Sequence, residues 1–276
     1  MKTVGPQSWS SDTGGERLRL LSYNVHMGIA ASKYRHYLLH GWKHFLPFRH
    51  RLKNLNNIAH IIRSFDVVGL QELDSGSHRG GYVNFAQYLA EQAEFPHWYD
   101  QTNRHWGRIA QHSMGILSRY PCTSLSRYAL PSRVPGRGAL MAHLGTREDP
   151  LVLLLVHLSL SAKARMRQVE FLSRLIRGLP HVIVMGDLNC SAGSEEMNLL
   201  IHENELKMPA ADMLTYPSWS PRMHFDHILV SRSIHIAHAM VLPYRQSDHL
   251  PVAVEVVLPE GVCPGMRDPW PACRVA

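Results

Sequence analysis

Asp187 and Asn189 close the run His181-Val182-Ile183-Val184-Met185-Gly186-Asp187-Leu188-Asn189, which brings a carboxylate and an amide to the end of an apolar stretch. Residues 182–185 are too few for a helix and rich in β-branched side chains, so they predict a buried strand. Gly186 permits a tight turn, and Asp187 and Asn189, two positions apart, point the same way in extended or turn geometry. A carboxylate beside an amide suits phosphoryl chemistry, since one can take a proton while the other donates to a charged oxygen. Taken alone, Gly-Asp-Leu-Asn reads as an ordinary Asx-type turn.

Five other places repeat the pattern. Asn24 follows Leu18, Leu20, Leu21 and Tyr23; Glu72 follows the run Phe65–Leu70; His157 follows six aliphatic residues from Leu151; Asp226 opens the run ending Ile228-Leu229-Val230; Asp248-His249 precede Pro251-Val252. Each has a plain structural reading: a turn former, a rim carboxylate paired with an arginine, a satisfied core histidine. Strand ends that share one edge of a sheet converge on one pocket, so six such endings together argue for a site. A glutamate at such an end is costly to bury without a partner, and a bound cation is one partner. Arg137, at the end of the Pro/Gly/Arg loop 131–137, is a candidate phosphate contact.

The elements that must position these residues alternate between strand and helix. Strands are predicted at 17–25, 65–70, 111–120, 138–144, 151–160, 182–185, 223–230 and 234–242, with a last strand beginning near 247. Helices are predicted at 52–64, 81–93, 161–177 and 194–202, the third with Ala162, Met166, Val169, Leu172 and Ile176 on its apolar face and Gly178 as its stop. Phe95-Pro96-His97-Trp98-Tyr99 reads as an aromatic loop, and 215–221 as a loop with Tyr216, Pro217 and Trp219. Within 33–53, bases interleave with aromatics, and Leu38, Trp42 and Phe45 fall at helical spacing ahead of Pro47.

Composition narrows the class. Apolar residues at 45% and charged residues at 18% fit one globular domain at 17–258, with a flexible N-terminus at 1–16 and a loosely ordered tail at 259–276. Met1–Glu16 holds one Lys and no apolar run, and the longest aliphatic run, Leu151–Val156, cannot span a bilayer. A cytoplasmic protein is expected, with peripheral contact to the inner membrane surface through 33–53 as an extension. Cys122, Cys190, Cys263 and Cys273 lack metal-type spacing and suggest no mechanism. The net charge of +7, with no acidic residue between Glu16 and Asp66, calls for an anionic partner.

In order along the chain, Ser22-Tyr23-Asn24, Leu70-Gln71-Glu72, Val156-His157-Leu158, Gly186-Asp187-Leu188-Asn189, Phe225-Asp226-His227 and Ser247-Asp248-His249 resemble the motifs of the endonuclease/exonuclease/phosphatase superfamily, the pancreatic-deoxyribonuclease-like phosphodiesterases. The match runs from about Leu18 to Val257, and Asn24-Val25-His26-Met27-Gly28 with Arg137-Gly138 is similar to a bacterial branch. The resemblance implies a four-layer α/β/β/α sandwich of two packed mixed β-sheets, and a metal-dependent attack of water on a phosphodiester.

Under that resemblance Glu72, with Asn24 and Asp248, would hold Mg²⁺ or Mn²⁺ through oxygen ligands suited to a hard cation. Asp187 would take or orient the water proton, Asn189 would donate to the transition state, and Asp226 would fix the tautomer of His249, which would contact the phosphoryl group or transfer a proton. Arg137 and His26 would meet phosphate oxygens, and His157 phosphate oxygens or the leaving group. Where many members carry an acid two residues after the first-strand Asn, this chain has His26, which removes one carboxylate ligand and argues against a two-metal site. The expected substrate is nucleic acid, with a phospholipid headgroup or small phosphorylated molecule at a membrane surface as the alternative. A binding module on an inactive scaffold is disfavoured by the presence of all six polar positions.

Overall fold

Alternation along the strands sorts the apolar residues of this chain into two sheets and three layers of core. The computed structural model describes residues 15–28, 48–106, 110–133, 135–209 and 212–267. The strands are β1 Arg17–Asn24, β2 Val67–Leu73, β3 His97–Trp106, β4 Ala110–Ser118, β5 Cys122–Ala129, β6 Gly138–Leu144, β7 Leu151–His157, β8 Val182–Asp187, β9 Leu206–Lys207, β10 Asp226–Ser231, β11 His235–Val241 and β12 Val252–Val257. The helices are α1 Phe48–Ile62, α2 Phe85–Ala93, α3 Ala162–Ile176 and α4 Glu195–Asn204.

One sheet has the order β11-β12-β1-β2-β4-β3 and the other β5-β6-β7-β8-β10-β9. Each has a parallel pair at its centre, β1 with β2 and β7 with β8, flanked by antiparallel neighbours. A parallel pair needs a crossover, and α1 and α3 supply one each. This is the four-layer sandwich expected from the sequence.

Facing rows fill the space between the sheets: Leu18 and Leu20 of β1, Leu153 and Leu155 of β7, Ile183 and Met185 of β8, Ile228 and Val230 of β10. The alternate residues turn outward, Leu21 and Tyr23 onto α1 and α2, and Val152, Leu154 and Val184 onto α3 and α4. Gly69 lies where the sheets meet, and a Cβ there would come within 2.6 Å of Leu155 Cδ1, so that side chain would have to shift. Beyond β12, Val262 packs into the intersheet core and Arg267 pairs with buried Asp66 at 3.0 Å.

Several elements differ from expectation: β9 has no counterpart in the sequence reading, and the last strand begins at Val252, so Asp248 and His249 lie in the loop ahead of it. The aromatic loop at 95–99 is the start of β3, the edge strand beside β4; Pro96 stands just ahead of it, where its missing N–H disturbs no ladder. Strand β5 was not expected, since an edge strand paired only with β6 keeps many side chains exposed and shows no apolar face. The helix read from Gly81 begins at Phe85, because Asn84 accepts hydrogen bonds from the Ala86 and Gln87 amides and caps it. The helix expected around Leu38, Trp42 and Phe45 lies outside the described residues. Among the described residues, no helix is long and apolar enough to cross a membrane.

Candidate active site

The rows that fill the intersheet core turn polar at one end. Leu20 lies in the row that continues to Asn24, Leu155 in the row that reaches His157, Met185 in that of Asp187, and Ile228 in that of Asp226. Strand register then aligns them: His157 pairs with Asp187 across β7 and β8, and Asp187 with Asp226 across β8 and β10. All of these side chains are buried, so each must find partners.

Asp187 is the hub. Its Oδ2 accepts from Asn24 Nδ2 at 3.0 Å, and its Oδ1 accepts from the Asn189 backbone N–H at 2.9 Å. Asn189, held at φ 52, turns its own Nδ2 onto the Leu158 carbonyl at 3.0 Å. His157 Nε2 and His249 Nε2 stand 3.6 and 3.9 Å from Asp187 Oδ2. Burial pushes the Asp187 carboxyl up to about 7, with Asp226 adding to the rise and His249 and its hydrogen-bond donors opposing it.

Asp226 and His249 form a bonded pair. His249 Nδ1 donates to Asp226 Oδ2 at 2.7 Å, and the Thr215 hydroxyl donates to the same oxygen at 2.6 Å. Burial works against the His249 cation, but Asp226, Asp187 and Asp248 together outweigh it and raise its pKa to about 10. At neutral pH His249 is therefore an imidazolium whose Nε2–H faces Asp187. The ring of Tyr216 lies against it, 4.8 Å between centroids.

His157 behaves in the opposite way. Burial, then the positive charges of Arg137 and His249, hold it well below its ordinary value, so it is neutral. Its Nε2 accepts from the Arg137 guanidinium and lies 3.8 Å from Glu72 Oε1. Glu72 sits at an irregularity in β2 pairing, in the left-handed region at φ 54, with its side chain 27% exposed. A non-glycine residue there costs on the order of 1–3 kcal/mol, a strain that collects at functional sites. Asp248 is engaged elsewhere than by Glu72: His26 Nδ1 lies 3.5 Å from its Oδ1, to which the Ser247 hydroxyl also donates at 3.1 Å. His26 in turn gives its backbone N–H to Asn24 Oδ1 at 3.1 Å.

Glu72, Arg137 and His157 line a cleft of about 600 Å³. A sequence profile of the Endonuclease/Exonuclease/phosphatase family matches residues 21–249, which takes in every one of these side chains. The chain belongs to that family.

Solved structures of the family share its fold. An Endonuclease/Exonuclease/phosphatase family protein from Bacteroides thetaiotaomicron superposes with a TM-score of 0.67 at 18% identity, over 89% of this chain and 99% of the other. A mannosyl-6-phosphatase from the same species gives 0.63 at 20% identity over 87% and 100%. A humanized TDP2 from D. rerio gives 0.63 at 16% identity over 87% and 98%. No curated protein matches the chain in sequence. Membership makes this chain an enzyme of the phosphoesterase class.

Within the family's set of strand-end motifs, the structure brings Asn24, Glu72, His157, Asp187, Asn189, Asp226 and His249 into one connected cluster, with Arg137 bound to His157 and with His26 and Asp248 joined beside Asn24. Sequence reasoning missed Thr215 and Tyr216, which act on Asp226 and His249 from a loop whose only local signal was its aromatic and proline content.

Next to the site, His227 offers a stability test. Burial, then the stacked His224 at 4.0 Å between centroids, lowers its pKa to about 4, while its Nε2–H donates to the Cys190 and His224 carbonyls. The unfolded chain takes up this proton near pH 6.5 and the folded chain does not. Stability is thus lost as pH falls from about 6.5 to about 4, at about 1.4 kcal/mol per pH unit for each such proton. His157 acts in the same direction. In His227→Gln, which keeps an N–H for the two carbonyls, urea unfolding between pH 7 and 4 should lose one proton's worth of this slope; an unchanged slope would remove His227 from the account.

Proposed function

We propose that this protein hydrolyses phosphodiester bonds by metal-assisted attack of water, with nucleic acid as its substrate. The observation that carries the reading is the pairing of opposite proton states at one place: a buried carboxylate, Asp187, facing an imidazolium, His249, that a second carboxylate orients. Asp187 takes or orients the proton of the attacking water. His249 donates from Nε2 to a phosphoryl oxygen, and Asp226 with Thr215 holds its ring in place. Arg137, braced by His157, neutralises the phosphate from the cleft side. Asn24 and the Asn189 backbone keep the Asp187 carboxylate aimed.

The donor set fits a hard divalent cation. Glu72, Asp187, Asp226 and Asp248 gather four carboxylates around Arg137 and His249, a surplus of acidic groups that suits a dication. Asp187, Asp226 and His249 offer ligand atoms within 4.8 Å of one another, and although Asp226 Oδ2 and His249 Nδ1 hold each other, Asp226 Oδ1 is buried without a hydrogen-bond partner. Glu72, partly exposed at the cleft, is the carboxylate that would hold the ion, which leaves Asp187 to the water proton. When bound, Mg²⁺ or Mn²⁺ would polarise the phosphoryl oxygen and stabilise leaving-group charge.

Hydrolysis of bis-p-nitrophenyl phosphate should require Mg²⁺ or Mn²⁺ and cease with chelator. Full activity in chelator would sink the metal assignment, and no activity with any divalent ion would sink the reading itself. A phospholipid or small phosphorylated substrate is the second reading, favoured by Leu160, which is 76% exposed at the cleft. Cleavage of phosphatidylglycerol or sphingomyelin vesicles in preference to nucleic acid would support it.

A further inference from the structure

Beyond Glu72, Arg137 and His157, the cleft is lined by cations that the chemistry above does not use. Arg133 enters from the loop before β6, and Lys163 and Arg167 from the first two turns of α3. The two α3 residues stand four apart and so share a face, which they present to the cleft together with Ala164. All three cations are exposed, and none has an ion-pair partner among the described residues. Carboxylates are at hand nearby: on another side of α3, Arg165 pairs with Glu196 at 3.0 Å, and just past its end Arg177 pairs with Glu203 at 2.9 Å. On the cleft side Glu72 is the single carboxylate among the described lining residues, and Arg104 adds a further positive charge.

Like charges gathered in one concavity repel one another and raise its potential, and an anion relieves both. Hydroxyl and amide groups stand among them, on Ser132, Ser159, Ser161 and Asn103, and can bond phosphate oxygens. The whole cleft, about 600 Å³, lies in the range that encloses a small-molecule-sized group, so it has room for more than the phosphate held at Arg137.

We propose that Arg133, Lys163 and Arg167 form a second-phosphate subsite, so that the preferred substrate is a single nucleotide strand whose neighbouring phosphate lies along α3, not an isolated phosphodiester. The inference rests on the phosphodiesterase reading and extends it from reaction to substrate class. The centre around Glu72 and Asp187 is acidic and suits a cation; the wall beside it is basic and suits the substrate's next anion.

The test compares the dinucleotide TpT with pTpT and TpTp, which differ from it only in a second phosphate. In the wild type, at least one of the phosphorylated dinucleotides should have a kcat/KM about tenfold or more above TpT, expressed in KM, as expected for the loss or gain of one charge-assisted contact. In Arg133→Gln/Lys163→Gln/Arg167→Gln that ratio should fall below about threefold, in proportion to the lost contacts. Equal use of all three dinucleotides by the wild type, or a ratio that survives in the triple variant, overturns the subsite while leaving the hydrolase reading intact.

A binding measurement separates the two failures. Calorimetry with thymidine 3′,5′-bisphosphate and with thymidine 5′-phosphate needs no turnover, and the bisphosphate should bind the wild type more tightly and lose that advantage in the triple variant. If bis-p-nitrophenyl phosphate is not hydrolysed at all, the function fails and this comparison alone decides the subsite. Equal binding of the two nucleotides overturns it.

Discussion

Asp187→Asn lowers phosphodiester turnover by about 10³-fold or more, in the range lost when a positioned proton acceptor is removed. The loss is chemical, not structural. Asn keeps one acceptor where Asp has two, so either Asn24 Nδ2 or the Asn189 N–H gives up its bond, a cost of about 1–3 kcal/mol. Against that, the variant no longer buries a charge.

The sign of the second effect follows from the raised pKa. The folded chain holds the Asp187 proton up to about 7, the unfolded chain only to 3.8, so ionising Asp187 costs stability progressively between those values and the cost is complete above about 7. At pH 8 Asp187→Asn should therefore melt close to or above the wild type while being inactive on bis-p-nitrophenyl phosphate. Turnover within tenfold of the wild type would overturn the assignment of Asp187 as the group that handles the water proton. A variant that is inactive because it is unfolded would show in the melting curve.

Gly186→Ala is expected to remove more than about 4 kcal/mol, enough to leave little folded protein in a domain of ordinary stability. Gly186 sits inside β8 at φ 142, paired with Val156 on β7 and with His227 on β10. A Cβ there would lie 2.0 Å from the Val156 carbonyl oxygen and 2.9 Å from its carbon. Neither atom can swing aside as a side chain could, because both belong to the central parallel pair of the sheet. The control is Gly193→Ala, where a Cβ would meet nothing within 4 Å and the change should stay within about 0.5 kcal/mol. A Gly186→Ala protein melting with the wild type would show that the β7–β8 approach is looser than described.

The two positions explain why the motif carries a glycine. Asp187 lies in the row with His157 and Asp226, one residue after the point where β7 and β8 approach too closely for a Cβ. The sequence signalled Gly186 as a turn former; the structure shows a close backbone contact that keeps the carboxylate in register.

Much of this was legible in the chain. Short apolar runs bounded by Asn24, Glu72, His157, Asp187, Asp226 and Asp248-His249 follow from the two-residue repeat of a strand and need no tertiary knowledge. The amphipathic spacing of α3 likewise reports its own buried face, with Val169, Leu172 and Ile176 packed on the second sheet. Those are local properties, and local physics writes them into adjacent residues. Edge strands β3 and β5 were poorly legible because a strand paired on one side and partly solvated has no need of an apolar pattern.

Proton states and partners were decided elsewhere. That His249 is cationic and His157 neutral depends on which carboxylates and cations the fold sets beside each, since the two imidazoles are similarly buried. Asp248 goes to His26, and Arg137 to His157, across gaps in sequence that no spacing rule reports. Arg133, Lys163 and Arg167 form one wall only because the loop before β6 and the start of α3 border the same cleft. The sequence by itself determined which residue types stand at the ends of the strands, because strand periodicity is local. The tertiary structure decided their charge and their partners, because burial and Coulomb forces depend on distance in space and not along the chain.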